Sequence, residues 1–279
     1  MFEGVSVGEL VTLAGGLLAA GFLTGILAGV FGVGGGAVIV PILYELFALM
    51  HVPESVRMPL CVGTSLAIII PTSVRSFNAH KKKGAVDTSI LKEWLVPVVV
   101  GVVIGSLFAR VAPASVFKIV FVVVASISSI RLLFGRDSWK LGDQLPSKFV
   151  MKAYGLLIGV LSALMGIGGG QLSNLFMTFY GRPIHQAVAT SSGLGVIISI
   201  PATLGYIYAG WPKMDILPPL SLGYVSLIGF VLFIPTSMLA APIGVNIAHA
   251  LSKRKLEVAF GLFLGLVSLR FIWSLIAGS

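Results

Sequence analysis

Two glycine runs offer exposed backbone chemistry in an otherwise apolar chain. Gly32-Val33-Gly34-Gly35-Gly36 recurs as Gly166-Ile167-Gly168-Gly169-Gly170. Each glycine weakens a helix by about 1 kcal/mol relative to alanine, so three in a row predict a break. Freed backbone within hydrocarbon is tolerated only against protein or a wet cavity. The short helix after each break would aim its first N–H groups and positive dipole end at that cavity, an arrangement that receives anions. Candidate ligands are therefore Gly34, Gly35 and Gly36 from the first run and Gly168, Gly169 and Gly170 from the second. Gln171 and Asn174 add amide donors beside the second break. Two hydroxyl pairs follow at matching places, Thr64-Ser65 and Thr190-Ser191. They can donate to an oxyanion or bond back to helix carbonyls. The competing reading of the glycines is close helix packing by small residues.

Charged residues sharpen this chemistry mostly by their placement. Arg57 and Arg75 lie in or at the mouth of the segment carrying Thr64, and with His80 they are candidates for attracting or gating an anion. Arg131 and Arg270 lie near segment ends, where snorkelling to the interface is expected. Glu45 is the one acid well inside an apolar run. Cation sites and proton relays commonly use intramembrane carboxylates, so their scarcity disfavours a cation carrier and leaves Glu45 and His80 as weak candidates for proton coupling. Enzyme chemistry finds no motif. There is no His-Glu-x-x-His, no phosphate-binding loop ending in Lys-Ser/Thr, and nothing in the spacing of His249 with Ser221 or Ser226 favours a dyad. The single Cys61 and the four histidines show no metal-ligand spacing, so no metal or cofactor is expected.

The elements that must position these groups are membrane helices. Hydrophobic residues make up 57% of the 279, and only 10% are charged. A soluble domain carries about 25% charged residues. Apolar segments are predicted at 10–32, 37–50, 58–77, 93–110, 115–135, 152–167, 171–181, 186–209, 217–241 and 255–276, several long enough to span a bilayer. No basic stretch precedes the first of them, so it is expected to stay as an anchor and not to be cleaved. The +9 charge lies mostly between apolar runs and reads as loop bias, not nucleic-acid binding.

Gly25–Gly36 lines up with Gly159–Gly170, and Gly63-Thr64-Ser65 with Ala189-Thr190-Ser191. Gly84 and Asp87 correspond roughly to Trp211 or Pro212 and Asp215. Ser129-Ile130-Arg131 corresponds to Ser268-Leu269-Arg270. The order of these matches indicates duplication. If each glycine-linked pair enters and returns, the halves are inverted, and most Lys and Arg fall on the cytoplasmic side with both termini outside. The expected fold is all-α: a polytopic transmembrane protein of two inverted repeats, each with a glycine-broken helical hairpin plus three spans. Residues 1–135 and 152–279 form the repeats, and 136–151 a cytoplasmic linker.

These residues resemble the sulfite exporter TauE/SafE family, also described as toluene-sulfonate uptake permeases. The resemblance rests on Gly32–Gly36 with Pro41, on Gly63-Thr64-Ser65, on His80 with Gly84-x-x-Asp87, and on Gly101-x-x-x-Gly105 ahead of Arg110. The second glycine run and Ala189-Thr190-Ser191 complete it. Pro41 has no counterpart, since Leu175 stands there in the second half. The resemblance implies a secondary transporter of small sulfur-containing anions such as sulfite, sulfonates or sulfoacetate, in the inner membrane, with export the expected direction. An anion channel or a permease for an unrelated small solute is the alternative. Expected partners are a small anion and the lipid bilayer, with no nucleic acid; a homodimer is compatible with the sequence.

Overall fold

The computed structural model describes the backbone of residues 7–31, 35–135, 141–142 and 144–277. Gly32, Gly34 and linker residues 136–140 and 143, Arg136 and Lys140 among them, lie outside the described residues. The first half runs α1 (Val7–Phe31), α2 (Gly36–Leu49), α3 (Glu54–Lys82), α4 (Thr88–Phe108) and α5 (Ala114–Phe134). The second runs α6 (Lys148–Met165), α7 (Gly170–Phe179), α8 (Ile184–Gly210), α9 (Leu227–Ala250) and α10 (Lys253–Ala277). Seven helices among the described residues are long and apolar enough to cross a membrane. The chain is an all-α multi-pass membrane protein.

Hydropathy located each helix but missed polar ends. The α3 segment expected at 58–77 gains Glu54 at its start and His80–Lys82 at its end, where side chains reach water and their charge costs little. The segment expected at 217–241 is displaced. Pro218 and Pro219 withhold backbone donors, and Gly223 adopts φ 54°, so residues 221–226 form a two-stranded hairpin, Ser221–Leu222 against Val225–Ser226. Only then does α9 begin, and it continues to Ala250. The hairpin packs against α3 at Gly63 and against the last turns of α8, where the Tyr224 N–H bonds the Tyr206 carbonyl at 3.1 Å.

Helix directions follow from which residues meet. Gly21 of α1 faces Phe233 and Thr236, and Gly25 faces Ser237 and Ala240, so α1 and α9 run the same way. Gly101 and Gly105 of α4 lie on Leu156 and Val160 of α6, while Gly155 and Gly159 lie on Pro97 and Val98. That pair too is parallel. Small residues at four-residue spacing let these backbones approach closely, which is how membrane helices associate without a hydrophobic drive. By contrast α3 opposes α8, since the Asp87 N–H beyond the end of α3 donates to Thr190 near the start of α8 at 2.9 Å. Likewise Arg254 at the start of α10 bonds carbonyls Leu132 and Leu133 at the end of α5. The central helices are α3 and α8, whose most apolar windows are 61% buried, against 28–44% for the other spans.

Asp87 caps α4, accepting from the backbone N–H of Ser89 at 3.1 Å and Ile90 at 3.3 Å. Partial burial pushes its carboxyl up. The Ser89 hydroxyl, the two N–H groups and the Arg182 charge outweigh that and hold it below the ordinary value. Its stabilisation is present above the ordinary aspartate pKa of about 3.9 and is lost as pH falls through the lower folded value. Asp87→Ala should cost about 1 kcal/mol at neutral pH. Thermal midpoints of purified protein should therefore separate wild type from variant at pH 7 and converge at strongly acidic pH.

Candidate functional site

Both helix breaks take the same backbone form. Gly35 precedes α2 with φ 78° and Gly169 precedes α7 with φ 74°, the left-handed region open to glycine. No side chain caps either helix, so their first N–H groups lack an intrahelical partner. The breaks meet each other: a Cβ on Gly36 would stand 2.6 Å from the Gly166 carbonyl oxygen and 2.8 Å from Ile167 Cα. Gly168 lies against Ile69, midway along α3, and against Gly195 of α8. Two positive helix ends thus converge halfway through the helix bundle.

A cavity of about 560 Å³ opens on this point. Gly35, Gly168 and Gly170 contribute backbone to its wall. Thr72, Ser73, Arg75 and Ser76 come from α3, Ser191 and Ser192 from α8, Ser237 and Asn246 from α9, and Thr24 from α1. Apolar wall comes from Ile39, Ile68, Ile69 and Met238. Among the described residues lining it, Arg75 is the one ionisable group and none is a carboxylate or histidine. The cavity extends from the breaks toward Ala79 and Asn246, the end of α3 that leads to Lys81–Lys83.

Of the sequence candidates, Gly35, Gly168, Gly170, Ser191 and Arg75 line this cavity. Gly36 and Gly169 build its floor by close packing. Gln171 is 8% exposed and neither of its amide atoms has a partner, and Asn174 Oδ1 is likewise buried and unpartnered among the described residues. Both follow directly on the second break but do not line the cavity.

The remaining candidates lie elsewhere. Thr64 is fully buried and its Oγ1 accepts the Ser226 N–H at 2.9 Å. Ser65 donates to the Gly166 carbonyl at 2.8 Å, pinning α3 to the break. Thr190 receives the Asp87 N–H. These hydroxyls recur because they tie α3 and α8 to their neighbours, which a one-dimensional pattern cannot tell from ligation. Arg57 donates to the Val52 carbonyl at 3.1 and 2.9 Å and lies over the Tyr44 ring, away from the cavity. The His80 carbonyl accepts from Lys83 and Ala85 to end α3, and its ring is not in the cavity wall. Glu45 pairs with Arg270 at 3.0 Å on a half-exposed surface, so it is spoken for as a structural ion pair. Arg131 stacks on Phe179 instead of simply reaching for solvent.

Thr64→Val keeps shape and removes the acceptor, leaving a buried N–H unmade. The expected cost is about 1–3 kcal/mol of stability with unchanged substrate affinity. Thermal denaturation beside a binding titration checks both halves of that statement.

Sequence reasoning overlooked Thr72, Ser73 and Ser76, a polar stripe at helical spacing behind Pro71, which was the available signal. Asn246 fell past the end drawn for the ninth segment and gave no signal.

Residues 17–271 match the sulfite exporter TauE/SafE family. The chain belongs to that family. A probable membrane transporter protein of Haemophilus influenzae is 33% identical over 258 residues, covering 90% of this chain and 95% of the relative. One from Methanocaldococcus jannaschii is 26% identical, covering 94% and 96%. The probable membrane transporter protein YunE of Bacillus subtilis is 26% identical over 213 residues. No solved structure matches the chain. As a TauE/SafE protein it is a membrane transporter and not an enzyme.

Proposed function

We propose that this TauE/SafE protein carries a small sulfur-containing anion through the cavity at the paired glycine breaks. The carrying observation is the wall itself: two helix N-termini, one arginine, hydroxyls and an amide, and no acid among the described lining residues. That field favours a negative solute at every height of the cavity.

Size and texture narrow the substrate. A water molecule occupies about 30 Å³ of liquid, so about 560 Å³ is far more than a bare oxyanion fills. The isoleucine and Met238 walls suit a carbon skeleton, so an organic sulfonate fits better than sulfite alone. Ser191 and Ser192 at present donate to the Val188 and Ala189 carbonyls at 2.9 and 2.6 Å. They can accept but must rotate to donate, which shifts the anion-binding task to backbone N–H groups, Asn246 and Arg75.

We further read the chain as two inverted repeats. Exchanging α1 with α6, α3 with α8 and α4 with α9 maps the α1–α9 pair onto α6–α4 and reverses every direction. Loop charge places the Lys81–Lys83 end in the cytoplasm and both termini outside. The cavity then faces the cytoplasm, while Ser65 on Gly166, Thr64 on Ser226 and the 221–226 hairpin close the other end. A closed end favours a carrier over an open channel, and a cavity loaded from the cytoplasm agrees with export.

Arg75→Gln should lower affinity for methanesulfonate or sulfoacetate about 10- to 150-fold, the worth of one charge-assisted hydrogen bond. Isothermal titration on purified protein reads it. Competition by other small oxyanions and none by amines or alkali cations is expected. Transport of cations alone in proteoliposomes, or unchanged anion affinity in Arg75→Gln, would overturn the reading.

A further inference from the structure

We propose that the groove between the first turns of α4 and α6 binds an anionic phospholipid, its phosphodiester among three lysines and an acyl chain along the apolar wall below. The groove measures about 750 Å³ and is separate from the transport cavity. Because α4 and α6 run parallel, their N-terminal ends lie together. Each presents the same gradient at four-residue spacing. On α4 the stripe is Lys92, Val96, Val100; on α6 it is Lys148, Lys152, Leu156. Residues four apart share one helix face, so both stripes read from charge to hydrocarbon in the same direction.

That gradient has the shape of a lipid. At 1.5 Å per residue, Lys92 to Val100 covers about 12 Å, enough for a headgroup and the upper part of a chain. The wall is open to the bilayer: Val96 is 68% exposed, Val100 44% and Leu156 38%. Glu93 also lines the groove, so three positive charges face one negative; Asp87 already caps the N-terminus of α4, whereas the N-terminus of α6 has no side-chain cap and adds partial positive charge. The ion pairs among the described residues join Lys118 to Glu54, Arg254 to Glu257 and Arg270 to Glu45, and none engages these lysines. Net positive charge at the groove's mouth prefers a headgroup with net negative charge to a zwitterionic one.

The other parallel pair supplies a contrast. Neither α1 nor α9 contains a lysine or arginine, so of the two parallel pairs only α4 and α6 carry the charged-to-apolar stripe. A lysine loop that merely set sidedness would not need to continue into an apolar groove. Basic pockets between membrane helices on the cytoplasmic side are where anionic headgroups bind.

The test is native mass spectrometry of the full chain titrated with phosphatidylglycerol or phosphatidylcholine. Phosphatidylglycerol should bind the wild type preferentially. Lys92→Gln, Lys148→Gln and Lys152→Gln should each weaken it roughly fivefold, and the triple variant on the order of a hundredfold. Val96→Trp, which keeps every charge but fills the groove, should also reduce it, and this holds even if loss of three lysines disturbs insertion. Equal retention in the triple variant and in Val96→Trp would overturn the proposal. So would an equal loss on Lys81→Gln, Lys82→Gln, Lys83→Gln, which would mean diffuse surface charge. Displacement by inorganic phosphate would identify a free-anion site instead. Cross-linking of Lys92 to Lys152 between copies, with no lipid bound, would identify a protein interface.

Discussion

Gly169→Val should leave a folded protein that neither binds nor transports the anion. Gly169 holds φ 74°, a conformation that costs a residue bearing Cβ about 1–2 kcal/mol and a β-branched one more. The new Cβ would collide with the end of the Ile198 side chain and touch Ser162 Oγ and Ile158 at 3.5 Å. Ile198 Cδ1 is the far end of a flexible chain and can move. The backbone cannot keep its angle comfortably, so the break is expected to straighten and carry the Gly170 N–H off the cavity wall. Gly169→Asn separates angle from volume, because asparagine tolerates the left-handed region, and it should retain part of the activity. Gly84 has φ 65° with nothing within 4 Å of a built Cβ. Gly84→Val should therefore cost some stability while transport continues. Proteoliposome uptake beside size-exclusion profiles reads all three, and normal uptake by Gly169→Val would refute the placement of the site.

Glu54→Ala should strongly destabilise the protein although Glu54 itself is partly exposed. Lys118 is 1% exposed, with Glu54 Oε1 at 2.5 Å, Ser274 Oγ at 2.6 Å and the Tyr44 ring 5.2 Å away. Four helices, α2, α3, α5 and α10, meet on this one ammonium group. Removing its counter-charge strands a buried cation, which costs about 3–5 kcal/mol, and the lower end applies because Glu54 is 38% exposed and partly screened. The double variant Glu54→Leu, Lys118→Met should recover much of the loss, since apolar packing can replace a buried pair. Thermal midpoints in detergent decide it. A Glu54→Ala protein as stable as wild type would mean that water reaches Lys118.

The Lys118 cluster shows what a sequence reading lacks. In the sequence Lys118 stands near the start of an apolar segment, with nothing beside it to show that it is buried. Its partners come from positions 44, 54 and 274, and nothing in their spacing links them. The hydroxyl pairs divide for a related reason: Ser191 lines the cavity, while Thr64, Ser65 and Thr190 bond to neighbouring backbone. Thr64-Ser65 and Thr190-Ser191 recur, and recurrence reports a shared geometric need without saying which. The structure gives that need as pinning α3 to the Gly166 carbonyl and to the 221–226 hairpin, and α8 to the Asp87 loop. Arg75 moved the other way, from one of three candidate cations to the one in the cavity wall.

The sequence by itself determined the class of solvent, the helices other than the true span of α9, and the two breaks. Hydropathy and consecutive glycines are local properties: a run of apolar residues has nowhere else to go, and a triplet without Cβ cannot hold a helix. It also determined family membership, because the glycine runs and their flanking residues keep their order. Only the tertiary structure decided which polar groups face the cavity. That depends on helix rotation and on contacts across large sequence separations. A hydroxyl on an apolar helix looks the same whether it faces a carbonyl of its own turn, a neighbouring backbone N–H or a water-filled space.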